Sequence, residues 1–213
     1  MKPKIVFFDC DGVLITSSTW ESLLKLAKFP ENENNRLCKQ YYSGKLSFKN
    51  WIQIQSSYLR KNLTKHKYQK EIVEKVEINH EASKIVTYLK NKNIPIAIIS
   101  SGEKDYVEVV ANKLKIKLFR VNTYFRFDKN GKFTKMDFHS NDPVSKVIQV
   151  KEISKQFNCS PDETFFIGDS NNDLRAFQLT KHGFLYKTKD PDCVKFAWKM
   201  IENLNEIKKF ITV

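Results

Sequence analysis

Short unbroken apolar runs alternate along this chain with longer polar stretches in which apolar residues recur at helical spacing. Ile5-Val6-Phe7-Phe8, Ile94-Pro95-Ile96-Ala97-Ile98-Ile99 and Thr164-Phe165-Phe166-Ile167 are runs of the first kind. They predict strands buried on both faces. Shorter strands are predicted at 118–121 and 184–186. Tyr124-Phe125-Arg126-Phe127 and Lys132-Phe133-Thr134 flank Asp128-Lys129-Asn130-Gly131. That arrangement predicts a hairpin, with Asn-Gly supplying positive φ. Helical spacing predicts helices over 20–26, with Ser18 or Thr19 as N-cap, and over 34–42, 48–59 and 68–76. Further helices are predicted over 85–89, 107–114, 143–157 (opened by Asn141-Asp142-Pro143), 174–179 and 201–210. No strand-like run falls between 16 and 79, so that block reads as a helical insertion. The remainder alternates β and α. This grammar predicts an α/β fold, a Rossmann-like doubly wound parallel sheet covered on both faces. The expected division is a core of residues 1–15 and 80–213 with a small helical cap of residues 16–79.

At 213 residues the chain can build one substantial core, or a core with an insertion. Its longest apolar runs are strand-sized, which predicts no membrane span. Lys2 and Lys4 precede an apolar run that Asp9 and Asp11 cut far short of a signal sequence, so a cytoplasmic protein is expected. Cys10, Cys38, Cys159 and Cys193 form no CxxC pair, which argues against zinc and against a disulfide framework. Cys10 reads as a small buried hydrophobe. The balance of 37 Lys+Arg against 24 Asp+Glu gives a net charge of +13. Lysines occur in almost every segment without a like-charged block, so the charge reads as solvated faces rather than a nucleic-acid surface.

Chemistry concentrates where the apolar runs end. The first run ends in Asp9-Cys10-Asp11-Gly12-Val13, the second in Ser100-Ser101-Gly102, the third in Gly168-Asp169-Ser170-Asn171-Asn172-Asp173. In an extended segment Asp9 and Asp11 would share a face, and paired carboxylates at a buried strand end call for a cation. Ligands of such sheets bind at the carboxyl ends of the strands, so these termini are expected to converge. Carboxylates from two strands can share one Mg²⁺. A hydroxyl before a Gly-containing turn can hold a phosphate, and Lys146 can neutralise an anionic transition state. The parts suit phosphoryl transfer. His66, His80, His139 and His182 gain no such support.

Taken in order, Asp9-Cys10-Asp11-Gly12-Val13, Ser100, Lys146 and Gly168-Asp169 through Asp173 resemble the four motifs of the haloacid dehalogenase superfamily. The insertion after the first motif, the Tyr41-Tyr42-Ser43-Gly44-Lys45-Leu46 stretch and the Asp-Lys-Asn-Gly hairpin resemble its phosphoserine phosphatase-like branch. The resemblance implies Asp9 as nucleophile, forming an aspartyl phosphate, and Asp11 as general acid/base. It implies Ser100, Ser101, Gly102, Lys146 and Asn172 around the phosphate. Mg²⁺ would be held by Asp9, the Asp11 carbonyl and Asp169, with Asp173 orienting its surroundings.

Members of that branch read the amino and carboxylate groups of phosphoserine with an acidic residue and an arginine, whose positions fall here at Ser18 and near Gln55. Glu21 and Arg60, about a helical turn further on, are possible substitutes. Trp20 and Trp51 join Ser18 and Gln55 as candidates for substrate specificity, while Trp20, Tyr41, Tyr42, Trp51 and Tyr58 also read as the insertion's core. The expected partner is a small phosphomonoester other than phosphoserine, with no membrane and no nucleic acid, in a monomer or a homodimer. Phosphoserine phosphatase proper, a phosphatase of nucleic-acid ends and a non-catalytic binding protein on the same fold stand as alternatives.

Overall fold

The computed structural model describes residues 1–140, 142–188 and 191–212. Its sheet contains β1 (Val6–Phe8), β2 (Ile96–Glu103), β3 (Leu118–Phe127), β4 (Phe133–Phe138), β5 (Phe165–Gly168), β6 (Gly183–Tyr186) and β7 (Lys199–Ile201). The strand order is β4-β3-β2-β1-β5-β6-β7, parallel throughout except for the β3–β4 pair. The central strand β1 is wholly buried, which explains its unbroken apolar run. Its side chains alternate between the two faces. Val6 and Phe8 join one apolar cluster with α5 (His80–Asn91) and α6 (Lys104–Lys113). Ile5 and Phe7 join a second with α7 (Asp142–Gln156) and α8 (Leu174–Thr180). The result is a helix–sheet–helix sandwich.

Between β1 and α5 the chain forms α1 (Thr19–Leu26), α2 (Glu31–Tyr42), α3 (Phe48–Asn62) and α4 (Lys65–Tyr68). Each start has a local cause. Ser18, Ser47 and Thr64 accept from the backbone N–H groups of Glu21, Asn50 and Lys67, and Pro30 precedes α2. Leu24, Phe29 and Leu37 form a small cluster within this block, while Leu23, Leu59, Leu63 and Tyr68 reach the larger sheet-face cluster. Ile15 pairs with Ile78 where the chain leaves the sheet and returns to it. Asn79 reinforces that neck by donating its side-chain amide to the Val13 carbonyl at 2.9 Å.

Several boundaries differ from the sequence pattern. β3 is one continuous strand, because Asn122 and Thr123 are buried with their polar atoms bonded to the carbonyls of Ser140 (2.9 Å) and Ser101 (2.8 Å). In the hairpin only Gly131 takes positive φ, and Asp128 Oδ1 closes the turn by accepting from the N–H groups of Asn130 and Lys132. The helix expected over 68–76 starts earlier, behind the Thr64 cap, and finishes in a wider turn at Gln69–Val73. The helix expected over 201–210 is instead β7 followed by a 3₁₀ turn, Leu204–Phe210, which Asn203 and Glu206 cap. A further helix, α9 (Pro191–Phe196), had no clear apolar signal. Asn141, the expected opener of α7, lies outside the described residues. Among the described residues no helix is long and apolar enough to cross a membrane.

Glu103 joins the helical block to the sheet. It is buried at the end of β2, caps α6 through the Asp105 N–H (2.8 Å) and accepts the Tyr68 hydroxyl of α4. Burial pushes its carboxyl up from 4.5 to about 7, with the Tyr68 bond opposing that rise. The folded protein therefore holds this proton more tightly than the unfolded chain does. The corresponding stability is present below about pH 4.5 and is lost as pH rises through about 7. Urea unfolding across that window should show a shallower decline for Glu103→Gln than for the wild type. Parallel profiles would contradict this assignment.

Candidate active site

The carboxyl ends of β1, β2 and β5 meet, and the helices that follow or precede them add their first turns. After Phe8 the backbone turns sharply, with Gly12 at φ +72°. A Cβ on Gly12 would lie 2.0 Å from Asp169 Oδ2, so this glycine lets the first strand end pass directly against the third. The turn also separates the carboxylates of Asp9 and Asp11, which an extended segment would have kept on one face. Asp9 Oδ1 accepts from the Cys10 N–H at 2.8 Å, and its Oδ2 lies 3.0 Å from Lys146 Nζ. Asp11 turns instead to Thr19 at the start of α1, accepting from its hydroxyl (2.7 and 2.9 Å) and its N–H (3.2 Å).

Lys146, on α7, has no solvent exposure. Its ammonium meets Asp9, Asp173 Oδ1 at 2.6 Å and Asn172 Oδ1 at 2.9 Å. Asp173 Oδ2 accepts from the N–H groups of Asp169 and Ser170, at 3.1 and 3.2 Å. That holds the loop after β5 around the lysine. Asn172 also donates to Ser101 Oγ at 3.2 Å, linking this loop to the end of β2. Ser100, Ser101 and Gly102 belong to β2 itself, and α6 begins only after Glu103. The Gly102 N–H, expected to face a phosphate, donates to Ser100 Oγ at 3.0 Å.

Asp9, Asp169 and Asp173 each offer an oxygen within 4.8 Å of the others. Burial pushes the Asp9 carboxyl well above the usual range, Lys146 opposes it, and Asp173 and Asp169 add to it. Burial, then Asp173, raises Asp169 to about 7. Burial raises Asp11 to about 6 against the Thr19 bonds. Three crowded carboxylates around one ammonium leave an excess of negative charge, and their hard oxygen donors fit a divalent cation such as Mg²⁺.

These residues open into a cavity of about 570 Å³ that reaches the helical block. Asp9, Asp11, Ser100, Ser101, Gly102, Asp169 and Asn172 line it. From the helical block, Ser18, Trp20, Trp51 and Gln55 also line it. Two of these four are committed to the fold: Ser18 caps α1, and Gln55 is fully buried with its amide 3.3 Å from Asn34 Oδ1. Glu21 also reaches the cavity wall, whereas Arg60 donates to the Thr134 carbonyl at 2.8 Å and lies outside it. The sequence pattern missed Thr19 as the partner of Asp11, and Phe48 and Phe138 as wall residues. A hydroxyl at the first position of a helix beside an acidic motif is too common to single out. Among the described residues no histidine lines the wall.

The haloacid dehalogenase-like hydrolase family model matches residues 3–179. The chain belongs to the haloacid dehalogenase-like hydrolases. The matched span contains Asp9, Asp11, Lys146, Asp169 and Asp173. A phosphoserine phosphatase of Campylobacter jejuni subsp. doylei is 28% identical over 178 residues, covering 82% of each chain. A phosphoserine phosphatase of Saccharomyces cerevisiae is 22% identical over 187 residues, covering 87% of this chain and 60% of its own. Among solved structures, a phospho-aspartyl intermediate analogue of phosphoserine phosphatase superposes with a TM-score of 0.85 at 24% identity over the full length of both chains. At that identity the likeness establishes the shared fold.

Removing Lys146 strands buried carboxylates. Lys146→Met should destabilise the fold by about 3–5 kcal/mol at neutral pH. The loss should shrink in acid, where the carboxylates of the unfolded chain are protonated as well. Urea unfolding at both pH values measures it, and an equal loss at both would contradict the charge argument.

Proposed function

We propose that this protein is a Mg²⁺-dependent phosphomonoesterase acting on a small phosphorylated metabolite through an aspartyl-phosphate intermediate. The observation that carries the reading is the junction of Asp9, Lys146, Asp169 and Asp173, from which Asp9 and Asp169 face the cavity that reaches the helical block. In this reading residues 1–15 and 80–213 are the catalytic core and residues 16–79 a cap over the leaving group.

Asp9 attacks phosphorus, an Asp9 O–P bond forms and the ester O–P bond breaks. Asp11, oriented by Thr19, gives its proton to the departing oxygen. It then takes a proton from the water that attacks phosphorus, releasing phosphate and restoring the Asp9 carboxylate. Ser100, Ser101 and Asn172 hold phosphoryl oxygens, and Lys146 balances charge beside Asp9. Gly102 needs only to release its N–H from Ser100 to join them. The metal, held by Asp9, the Asp11 carbonyl and Asp169, would stabilise charge on the phosphoryl oxygens. Asp173 orients Lys146 and the loop after β5.

The relatives named phosphoserine phosphatase support the reaction class. The wall supports a leaving group other than serine, because Ser18 and Gln55 carry no charge and Arg60 is engaged elsewhere. A cytoplasmic, small-molecule enzyme fits this reading. Asp9→Asn should lower turnover of p-nitrophenyl phosphate by more than about a thousandfold. Chelating the metal from the wild type should do the same. Activity that survives either treatment would rule the mechanism out.

A further inference from the structure

Toward the helical block the cavity is lined by the rings of Trp20, Tyr42, Phe48, Trp51 and Phe138, and by Glu21, which is exposed on α1. These rings are held by their neighbours. Phe48 meets Phe138 edge to face with centroids 5.1 Å apart, and Trp51 lies 4.7 Å from Tyr41. Glu21 projects from α1 toward α2, where its charge, after burial, raises the Cys38 thiol. Among the described residues this wall includes no lysine and no arginine. Of the helical block's two arginines, Arg60 is engaged by the Thr134 carbonyl and Arg36 by Glu33, at 2.6 and 2.8 Å.

A carboxylate placed here would face Glu21 with no cation to offset it, and it would leave water for aromatic surface. An ammonium group would meet an opposite charge and the negative faces of several rings, the environment that recognises alkylammonium ions. Phosphate chemistry beside Asp9 fixes where the ester oxygen must lie. The leaving group then extends from that oxygen toward this wall.

We propose that the leaving group carries an ammonium and no carboxylate, so that the substrate is an aminoalkyl phosphate, with Glu21 as the residue that selects it. The proposal rests on the phosphatase reading above and narrows its substrate class.

Steady-state kcat/KM with Mg²⁺ tests it on phosphoethanolamine and phosphocholine. The comparators are n-propyl phosphate, the neutral isostere of phosphoethanolamine, and O-phosphoserine, which adds a carboxylate. The aminoalkyl esters should exceed both comparators by roughly tenfold or more, the size expected for one well-placed charge contact. In Glu21→Gln the ratio of phosphoethanolamine to n-propyl phosphate should fall several-fold toward one. Equal or better turnover of phosphoserine or n-propyl phosphate, or an unchanged ratio in Glu21→Gln, would overturn the proposal. If the wild type fails to hydrolyse even p-nitrophenyl phosphate, the phosphatase reading fails separately. The substrate preference is then read by calorimetry with the Mg²⁺-loaded protein. Tighter binding of phosphocholine than of phosphoserine supports it, and equal or weaker binding overturns it.

Discussion

Lys146 has no access to water, and the carboxylates of Asp9 and Asp173, 3.0 and 2.6 Å away, offset its charge inside the protein. Those two carboxylates come from different places: Asp9 ends β1 and Asp173 closes the loop after β5. The lysine itself comes from α7, on the sheet's second face. Meeting the charge requirement of one buried cation therefore sets the relative positions of two strand ends and a helix. Misplacing any of the three leaves a buried charge unpaired, at a cost of several kcal/mol on the order of those seen for broken buried pairs. The reverse also holds. With Asp169 close by, negative charge exceeds positive, so the same arrangement that fixes the fold leaves room for a divalent cation.

The constraint reaches outward through close contacts. Gly12 can have no side chain because Asp169 occupies the space, and Asp173 crowds the missing Cβ of Gly168 in the same way, at 2.3 Å. Asp11, turned away from this cluster, is held by Thr19 at the first turn of α1. The first helix of the cap region is thus bonded to the proposed acid/base. Glu103 and Tyr68 make a second tie at the far end of that region, beside the β2 strand that presents Ser100. Movement of the helical block relative to the sheet would be felt at both places.

Much of this was legible in the sequence because buried parallel strands leave a plain signature. The runs at 5–8, 94–99 and 164–167 mark β1, β2 and β5, and the reactive residues that follow them meet because such sheets present their carboxyl ends together. The less legible parts have physical causes. Asn122 and Thr123 hid the continuity of β3, since a polar pair ends a strand unless its side chains find buried partners, and here both do. The stretch from 199 to 210 mixes apolar and lysine residues at a spacing that suits a helix, yet pairing of β7 with the β6 edge takes its first residues. At the site, Ser18 and Gln55 stood out by position along the chain. Capping and burial turned both toward the fold, and the wall gained Phe48 and Phe138, whose approach depends on long-range packing between α3 and β4.

The proposed mechanism requires that Asp9 become covalently phosphorylated. Rapid acid quenching during turnover of p-nitrophenyl phosphate with Mg²⁺, followed by peptide mass spectrometry, tests it most directly. One phosphoryl group is expected on the peptide containing Asp9, located to that side chain by fragmentation and absent from Asp9→Asn. Turnover without a phosphorylated Asp9, or a phosphoryl group found on another residue, would contradict it.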